Sequence, residues 1–283
     1  MRIYIVIPCH NESDFIGQTL TSLVEQTTSA TQIVVVNDQS TDASASIVTA
    51  FAKVYPYISL VNTTSSAAHL PGSKVIQAFQ KGYETLDDAY DILCKFDADL
   101  IFPTDYLATI SDHFKINPKL GMAGGFCYVE KNGQWSLENL TNKDHIRGAL
   151  KAYRKACFKA IGGLKPAMGW DTIDELLAQY HDWSIKTDEN LHVKHLKPTG
   201  MTYNSAAKWK QGEAFYAMRY GLGLTAIAAF KLALRKKKTR YFFDYINGYF
   251  RAKRTQKPYL ITPEEGVFVR NYRWKGIRSK IGL

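Results

Sequence analysis

The fold is decided by the stretch Ile92-Leu93-Cys94-Lys95-Phe96-Asp97-Ala98-Asp99, an apolar run that ends in two carboxylates. A short apolar run bounded by polar residues is typical of a strand buried inside a sheet. Two carboxylates at positions i and i+2 repel each other unless a cation lies between them. The stretch therefore predicts a buried strand whose end carries a binding site.

Four other runs of the same kind lie on either side of this strand, and helical patterns alternate with them. The runs are Arg2–Ile7, Gln32–Asn37, Ile58–Asn62 and Met122–Glu130. Helical spacing of apolar residues marks a segment that opens with Ser13 as its predicted N-cap, and the segments Ala43–Val54, Lys74–Leu86 and Tyr106–Phe114. Strands that alternate with helices predict an α/β fold with a mostly parallel sheet.

The pattern changes after Glu130. We expect a hairpin or loop over Lys131–His145, a helix over Gly148–Ile161, a second helix from about Asp171, and a late strand over Leu191–Leu196. From Gln211 onward the chain is helical, aromatic and basic.

The composition and charge separate the chain into two parts. Of 283 residues, 46% are hydrophobic and 22% are charged, which excludes disordered and collagen-like proteins. Residues 1–205 hold 18 Lys/Arg and 22 Asp/Glu, which gives a net charge of −4. Residues 206–283 hold 18 Lys/Arg and 4 Asp/Glu, which gives a net charge of +14. We predict a domain over residues 1–205 and a helical basic extension over residues 206–283.

The extension interleaves aromatic and apolar residues with Lys and Arg, which favours contact with an anionic membrane surface. The same composition is compatible with helices that pack on the body and leave their charges in water. Its longest apolar stretch, Tyr220–Leu234, contains Lys231 and falls short of the roughly 20 residues that a membrane span needs. Nucleic-acid binding is not expected, because no nucleic-acid motif accompanies the charge.

The N-terminus and the cysteines indicate the compartment. Only five apolar residues, Ile3–Ile7, follow Arg2, which is too short for the apolar region of a signal peptide. The cysteines are far apart and form no CxxC pair, which predicts reduced, buried thiols; they are Cys9, Cys94, Cys127 and Cys157. We expect a cytoplasmic protein, peripheral at the inner face of the membrane.

Polar residues follow two other predicted strands at the point where each ends. The first strand leads into Pro8-Cys9-His10-Asn11-Glu12 and the second into Asn37-Asp38-Gln39-Ser40-Thr41-Asp42. Open α/β sheets bind ligands at the carboxyl ends of their strands. Turn formation and helix capping are the alternative explanation for any one of these segments, Asp42 in particular. At Asp97 and Asp99 a hard divalent cation, Mg²⁺ or Mn²⁺, would relieve the repulsion and could also hold a diphosphate.

These motifs, in this order, resemble those of the inverting, nucleotide-sugar-dependent glycosyltransferases of family 2, which have the GT-A fold. The resemblance continues through Ala149–Leu164, Gly169-Trp170-Asp171 and His195-Leu196-Lys197. It implies transfer of a sugar from a nucleoside-diphosphate sugar, with UDP as the expected nucleotide, to a glycan or lipid-linked acceptor. The setting it implies is polysaccharide or glycoconjugate biosynthesis.

The resemblance also implies roles for single residues. Pro8 and Glu12 would lie beside the nucleoside, and Asp38 would bind the base or ribose. Asp97 and Asp99 would form the metal-diphosphate motif, with Asp99 the more direct ligand.

The general base of the family belongs to a second carboxylate motif. In the family this motif lies at a usual distance before a Gly-Trp pair, which corresponds here to Asp182-Trp183. That distance favours Asp171 as the base. Asp174 stays an alternative, one residue out of the usual register. A carboxylate there would take the proton of the acceptor hydroxyl, and a metal would neutralise the leaving diphosphate.

Two further positions and two rival functions stay open. His195 matches a late histidine of the family that can complete the metal site, although a lone histidine on a strand is more often structural. Lys74 lies near a predicted helix N-terminus, where it could contact a phosphate of the donor. The alternative is an exposed lysine with no such contact. A nucleotidyltransferase also uses a parallel sheet and metal-bound carboxylates, and a non-catalytic binding protein on the same fold is the second rival.

Overall fold

The computed structural model describes residues 1–64, 72–138, 143–197 and 209–280, together with Gly282. Its strands are β1 (Ile3–Cys9), β2 (Gln32–Asp38), β3 (Ile58–Thr63), β4 (Ile92–Phe96), β5 (Leu100–Ile101), β6 (Leu120–Lys131), β7 (Gln134–Leu137), β8 (Leu150–Arg154) and β9 (Ser184–His195). Its helices are α1 (Ile16–Val24), α2 (Ser44–Val54), α3 (Ser73–Tyr83), α4 (Tyr106–Ile116), α5 (Lys155–Ala160), α6 (Trp170–Tyr180), α7 (Lys210–Ala217), α8 (Gly221–Arg235), α9 (Arg240–Arg254) and α10 (Pro263–Lys280).

The strands form one sheet in the order β3-β2-β1-β4-β8-β6-β9-β5, and β7 pairs with the outer part of β6. The neighbours β3, β2, β1 and β4 are parallel, so their carboxyl ends meet at one edge. Helices cover the sheet, and β1, β2 and β4 are apolar because they are almost wholly buried. The predicted α/β fold is confirmed.

Two local predictions are wrong. The segment expected to be a helix over Gly148–Ile161 holds strand β8 followed by the short helix α5. Strand β8 pairs antiparallel with both β4 and β6. These tertiary contacts override the helix propensity of its residues. Ser13 is not the N-cap of α1, which begins at Ile16; the Ser13 backbone N–H donates to Asp42 instead.

Other local predictions are confirmed. Asn132 and Gly133 both have positive φ and turn β6 into β7, as expected of a two-residue hairpin loop. The late strand is longer than predicted, because β9 begins at Ser184. All four cysteines are free and buried.

The helices after Lys210 join the hydrophobic core of the body. Phe215, Met218 and Val269 belong to the same buried cluster as the sheet, and Phe268 contacts Tyr180 of α6. The boundary predicted near Ala206 lies outside the described residues, so the division at residue 205 stays a prediction. No helix in the described part of the chain is both long and apolar enough to cross a membrane.

Candidate active site

The edge where the parallel strands end carries the polar residues that the sequence singled out. Asp38 is the last residue of β2, and its carbonyl oxygen lies 2.5 Å from Nδ1 of His10 in the loop after β1. In β1, Val6 pairs with Lys95 of β4, so Pro8 lies two residues further toward the same edge as Asp97. The fold therefore brings the three predicted motifs together.

Asp97 is held by a lysine inside the sheet. Nζ of Lys95 donates to the Asp97 carboxylate and, at 3.0 Å, to the carbonyl of Gly148. The Lys95 side chain is almost fully buried, whereas Asp97 is about one-third exposed. A buried ammonium needs a carboxylate partner, so Asp97 has a charge-balancing role in addition to any contact with a ligand.

Asp99 faces the other predicted metal ligand. Its Oδ2 lies 3.4 Å from Nε2 of His195, and Nδ1 of His195 lies 3.0 Å from Oε2 of Glu138, which also pairs with Arg147. Burial opposes protonation of His195, but its contacts with Asp99 and Glu138 outweigh it and raise the pKa to about 9. The protonated imidazole is itself the positive charge between these carboxylates, and a metal ion would have to replace the proton on Nε2.

The donors around His195 fit a divalent ion. A carboxylate oxygen and an imidazole nitrogen are both ligands that Mn²⁺ accepts, and a carboxylate on the far ring nitrogen is the usual way to orient a metal-binding histidine. Cys127 is the third residue near this pair. Among the described residues, one group of three potential metal ligands has all its ligand atoms within 4.8 Å of one another: Cys127, Glu138 and His195. Burial raises the pKa of Cys127 to about 12, so it remains a thiol. Asp99 and His195 are the better ligand pair.

Glu12 connects the first loop to the segment after β9. Its Oε1 accepts from Nζ of Lys197 at 2.9 Å. Burial raises the pKa of Glu12, Lys197 opposes the rise, and Asp99 and Asp97 add to it. Its carboxylate therefore belongs to the same electrostatic cluster as the two aspartates.

Asp171 lies in the first turn of α6, with its side chain about one-third exposed. Its Oδ2 is 3.7 Å from Nε2 of His145. Burial by itself would raise the pKa of Asp171, but His145 and Lys151 hold it below the ordinary value. Asp171 is thus an ionised carboxylate that solvent reaches.

Asp174 has the opposite environment. Its side chain is 2% exposed, and Nζ of Lys151, which is 0% exposed, donates to its two oxygens at 2.8 and 3.0 Å. Tyr153 donates to the same carboxylate at 2.6 Å, and Lys151 also donates to Glu175 at 3.1 Å. Burial raises the pKa of Asp174, and Lys151 opposes that rise. The structure places Asp174 in a buried ion network.

Trp170 links these two parts of the site. It is buried, and the ammonium groups of Lys95 and Lys151 lie 5.3 and 5.7 Å from its ring centroid. The two lysines are direct partners across β4 and β8, and a Cβ on Gly148 would meet the Trp170 ring at 2.8 Å and the Asp171 Cβ at 3.2 Å. The strand edge and α6 are therefore joined by one packed contact.

Lys74 lies in the first turn of α3, half-buried. Gly72 precedes that helix with φ of +73°, and a Cβ there would lie 2.8 Å from the carbonyl of Ala167, so only glycine fits this helix start. Lys74 is not among the ion pairs of the described residues. Its predicted phosphate contact stays a prediction.

Comparison with known proteins identifies the family. The profile of Glycosyl transferase family 2 matches residues 4–161, more than half of the chain. The chain belongs to glycosyl transferase family 2.

Relatives of this family-2 chain are similar over part of their length. The protein named "Probable glycosyltransferase YdaM" of Bacillus subtilis is 23% identical over 285 residues, covering 88% of this chain and 62% of YdaM. Poly-beta-1,6-N-acetyl-D-glucosamine synthase of Staphylococcus epidermidis is 26% identical over 225 residues, covering 77% and 47%. The chain thus spans less than two-thirds of the length of these relatives.

Solved structures confirm the GT-A fold. A mannosyltransferase of Pyrobaculum calidifontis in complex with GDP-Man and Mn²⁺ is 15% identical, with a TM-score of 0.59 over 98% of this chain and 80% of that one. TarS residues 1–349 of S. aureus, in complex with UDP-GlcNAc, is 16% identical, with a TM-score of 0.55 over 89% and 73%. At these identities the likeness concerns the fold.

Sequence reasoning missed several residues of the site in this family-2 chain. They are Lys95, Glu138, His145, Arg147 and Lys151. A lysine inside an otherwise apolar strand is a signal that would have found Lys95, because a buried ammonium requires a partner. The others come from segments whose contacts depend on tertiary pairing.

Proposed function

We propose that the chain is an inverting glycosyltransferase that moves a sugar from a nucleoside-diphosphate sugar to a hydroxyl acceptor. One observation carries the proposal: an ionised, solvent-reachable carboxylate, Asp171, is joined through the Lys95–Trp170 contact to the carboxylate edge of Asp97 and Asp99. Direct displacement at an anomeric carbon needs a group that receives the leaving diphosphate and a separate base for the attacking hydroxyl. The two ends of the site suit these two tasks.

Each end would act through its own residues. Glu12 and Asp38 would bind the nucleoside, and Asp99 with His195 would hold Mn²⁺ or Mg²⁺. When bound, that ion would neutralise negative charge on the leaving diphosphate. Asp171 would accept the proton of the acceptor hydroxyl as the new glycosidic bond forms, which gives inversion in one displacement. The burial of Asp174 favours Asp171 as the base.

We propose a UDP-sugar as donor and a glycan or lipid-linked acceptor in polysaccharide or glycoconjugate synthesis. The names of the S. epidermidis synthase and of the TarS complex with UDP-GlcNAc support this choice. Complexes of similar folds with Mn²⁺ support a divalent metal. Membership of family 2 favours glycosyl transfer over nucleotidyl transfer.

The test measures release of nucleoside diphosphate from UDP-Glc, UDP-GlcNAc and GDP-Man, with Mn²⁺ or with EDTA. We expect metal-dependent release from at least one UDP-sugar, and about 10²-fold less with Asp171→Asn. Lys115→Met, on an exposed ion pair of α4, is the matched control and should leave the rate unchanged. No release from any donor, together with no binding of any donor, would support the non-catalytic alternative.

We further propose that the C-terminal helices place the enzyme on an anionic membrane surface. In α8, Ile227, Phe230 and Leu234 have i, i+3, i+7 spacing and are 39%, 58% and 61% exposed, while Leu224 and Ala229 are buried. The helix is therefore apolar on the face toward the body and on the face toward solvent.

Basic residues flank this exposed face. Lys231 lies within it, and Arg235-Lys236-Lys237-Lys238 follow at its end. On α9, Phe243 and Phe250 are likewise exposed. Each basic residue near an anionic bilayer contributes about 1 kcal/mol, and exposed apolar side chains add burial in the interface. A bilayer is favoured over an acidic protein because exposed apolar side chains stand beside the basic ones on this face, and a membrane interface accommodates both.

Flotation with vesicles tests this placement. We expect the protein to float with vesicles of mixed phosphatidylglycerol and phosphatidylcholine, less so at high salt, and weakly with phosphatidylcholine alone. The double variant Phe230→Ser/Leu234→Ser should lose most of the binding. Ile116→Ser, which removes an apolar side chain that is 81% exposed on α4 of the body, is the matched control. Equal flotation of the double variant and wild type would refute the assignment of this face.

A further inference from the structure

Three charged side chains form a path from the interior to the Asp171 carboxylate. Glu175 Oε2 lies 2.9 Å from Nδ1 of His145, and Nε2 of His145 lies 3.7 Å from Asp171 Oδ2. The side chains are 11%, 15% and 36% exposed in that order. The histidine therefore stands between a buried carboxylate and one that faces solvent.

The buried end of this path is fixed by contacts from β8 and from the loop that precedes it. Glu175 Oε1 accepts from the backbone N–H of Ile146 at 2.9 Å and from Nζ of Lys151 at 3.1 Å, which leaves Oε2 for the imidazole. Lys151 also donates to the carbonyl of Asp171 at 2.5 Å and so holds the first turn of α6. Glu175 and the turn that bears Asp171 are thus anchored to β8.

Among the described residues, the charges that act most strongly on His145 come from these side chains. On α6 they are Asp171 and Glu175, and on β8 the ammonium of Lys151. Nδ1 is hydrogen-bonded to Oε2 of Glu175, and Nε2 faces Asp171 as an ion pair at 3.7 Å. These two carboxylates outweigh burial and raise the pKa of His145 to about 9. The imidazole is therefore a cation at neutral pH.

We propose that His145 is a positioning residue for the reaction: its imidazolium, held from behind by Glu175, keeps Asp171 ionised and in one orientation before the acceptor hydroxyl arrives. The inference rests on the proposed function, because it takes Asp171 as the general base. An opposite charge at this distance favours the ionised carboxylate, and a fixed orientation removes an entropic cost from the barrier.

The same arrangement balances charge after proton transfer. When Asp171 takes the proton of the acceptor hydroxyl, its carboxylate becomes neutral. His145 then keeps Glu175 as its counter-ion, so the step leaves no unpaired cation on this path. A histidine with Asp171 as its sole carboxylate partner would lose that compensation.

Histidine-selective ¹⁵N NMR tests the pairing without using activity. The imidazole resonance is assigned with His145→Gln, and its pKa is measured in the wild type, in Asp171→Asn and in Glu175→Gln. Asp171→Asn changes a partly exposed side chain and should fold normally. We expect the pKa of His145 to fall by about one unit or more in both variants. An unchanged pKa in Asp171→Asn would overturn the proposal.

Kinetics separate the positioning role from the base assignment. His145→Gln should lower kcat for sugar transfer about tenfold or more, with the donor KM unchanged. His192→Gln, an exposed histidine on β9 that bonds the carbonyl of Glu189, is the control and should behave as wild type. Wild-type kinetics for His145→Gln beside an inactive Asp171→Asn would overturn the positioning role alone. Wild-type kcat for Asp171→Asn would overturn the base assignment and the positioning role together.

Discussion

Replacing Lys151 with methionine is expected to destabilise the protein strongly. In the folded chain its ammonium is fully buried and donates to Asp174 at 2.8 and 3.0 Å and to Glu175 at 3.1 Å. Methionine has a similar length but no charge, so the variant buries two carboxylates beside an apolar side chain.

The loss of unfolding free energy in Lys151→Met depends on which contacts of Asp174 and Glu175 remain. Removing one partner of a buried ion pair costs about 3–5 kcal/mol. Tyr153 still donates to Asp174, and His145 still pairs with Glu175, so we expect the lower end, about 3 kcal/mol. That is a large part of the roughly 5–15 kcal/mol by which a typical domain is stable.

The loss should depend on pH. Burial raises the pKa of Asp174 to about 6 in the wild type, even with Lys151 opposing it. Without the ammonium the folded-state pKa rises further above the unfolded value of about 3.9, so the folded variant takes up a proton as the pH falls. The stability deficit of the variant should therefore shrink as the pH falls through the variant's raised pKa toward about 6, below which the wild-type Asp174 is protonated as well.

Urea unfolding followed by circular dichroism at pH 7 and at pH 5.5 measures both effects. Lys115→Met is the control, because the Lys115–Asp112 pair is more than half exposed and such pairs contribute about 0–1 kcal/mol. The reasoning is refuted if Lys151→Met costs no more than Lys115→Met, or if its deficit grows as the pH falls.

Three further predictions concern metal binding, the base and helix packing. Asp99→Ala should abolish Mn²⁺-dependent binding of UDP in calorimetric titration while circular dichroism stays unchanged; wild-type affinity would contradict the metal assignment. Asp174→Asn should lower the urea midpoint, whereas Asp171→Asn should keep the midpoint and lose transfer about 10²-fold, and the reverse ranking would make Asp174 the base. Gly212→Ala should lower the melting temperature, because its Cβ would lie 1.8 Å from the Tyr245 carbonyl of α9 and overpacking costs about 1–3 kcal/mol; Gly276→Ala, with nothing within 4 Å, should not.

The sequence alone determined the architecture and one side of the site. Strands buried on both faces of a parallel sheet are largely apolar, so β1, β2 and β4 could be predicted from composition and length. Because parallel strands end at a common edge, the positions of Pro8, Asp38 and Asp97 in sequence were enough to predict that they meet there. The resemblance to family 2 added the expected roles.

Only the tertiary structure decided the other side of the site. The first part of the helix expected over Gly148–Ile161 is strand β8, because β4 and β6 supply the hydrogen bonds that its residues would otherwise make within a helix. That strand turns Lys151 inward to Asp174 and Glu175, more than 20 residues away in sequence. Local patterns carry information on neighbours within a few residues, whereas the ionisation and exposure of a carboxylate depend on which distant charges the fold brings to it. Asp171 and Asp174 are therefore nearly equivalent in the sequence and opposite in the folded protein.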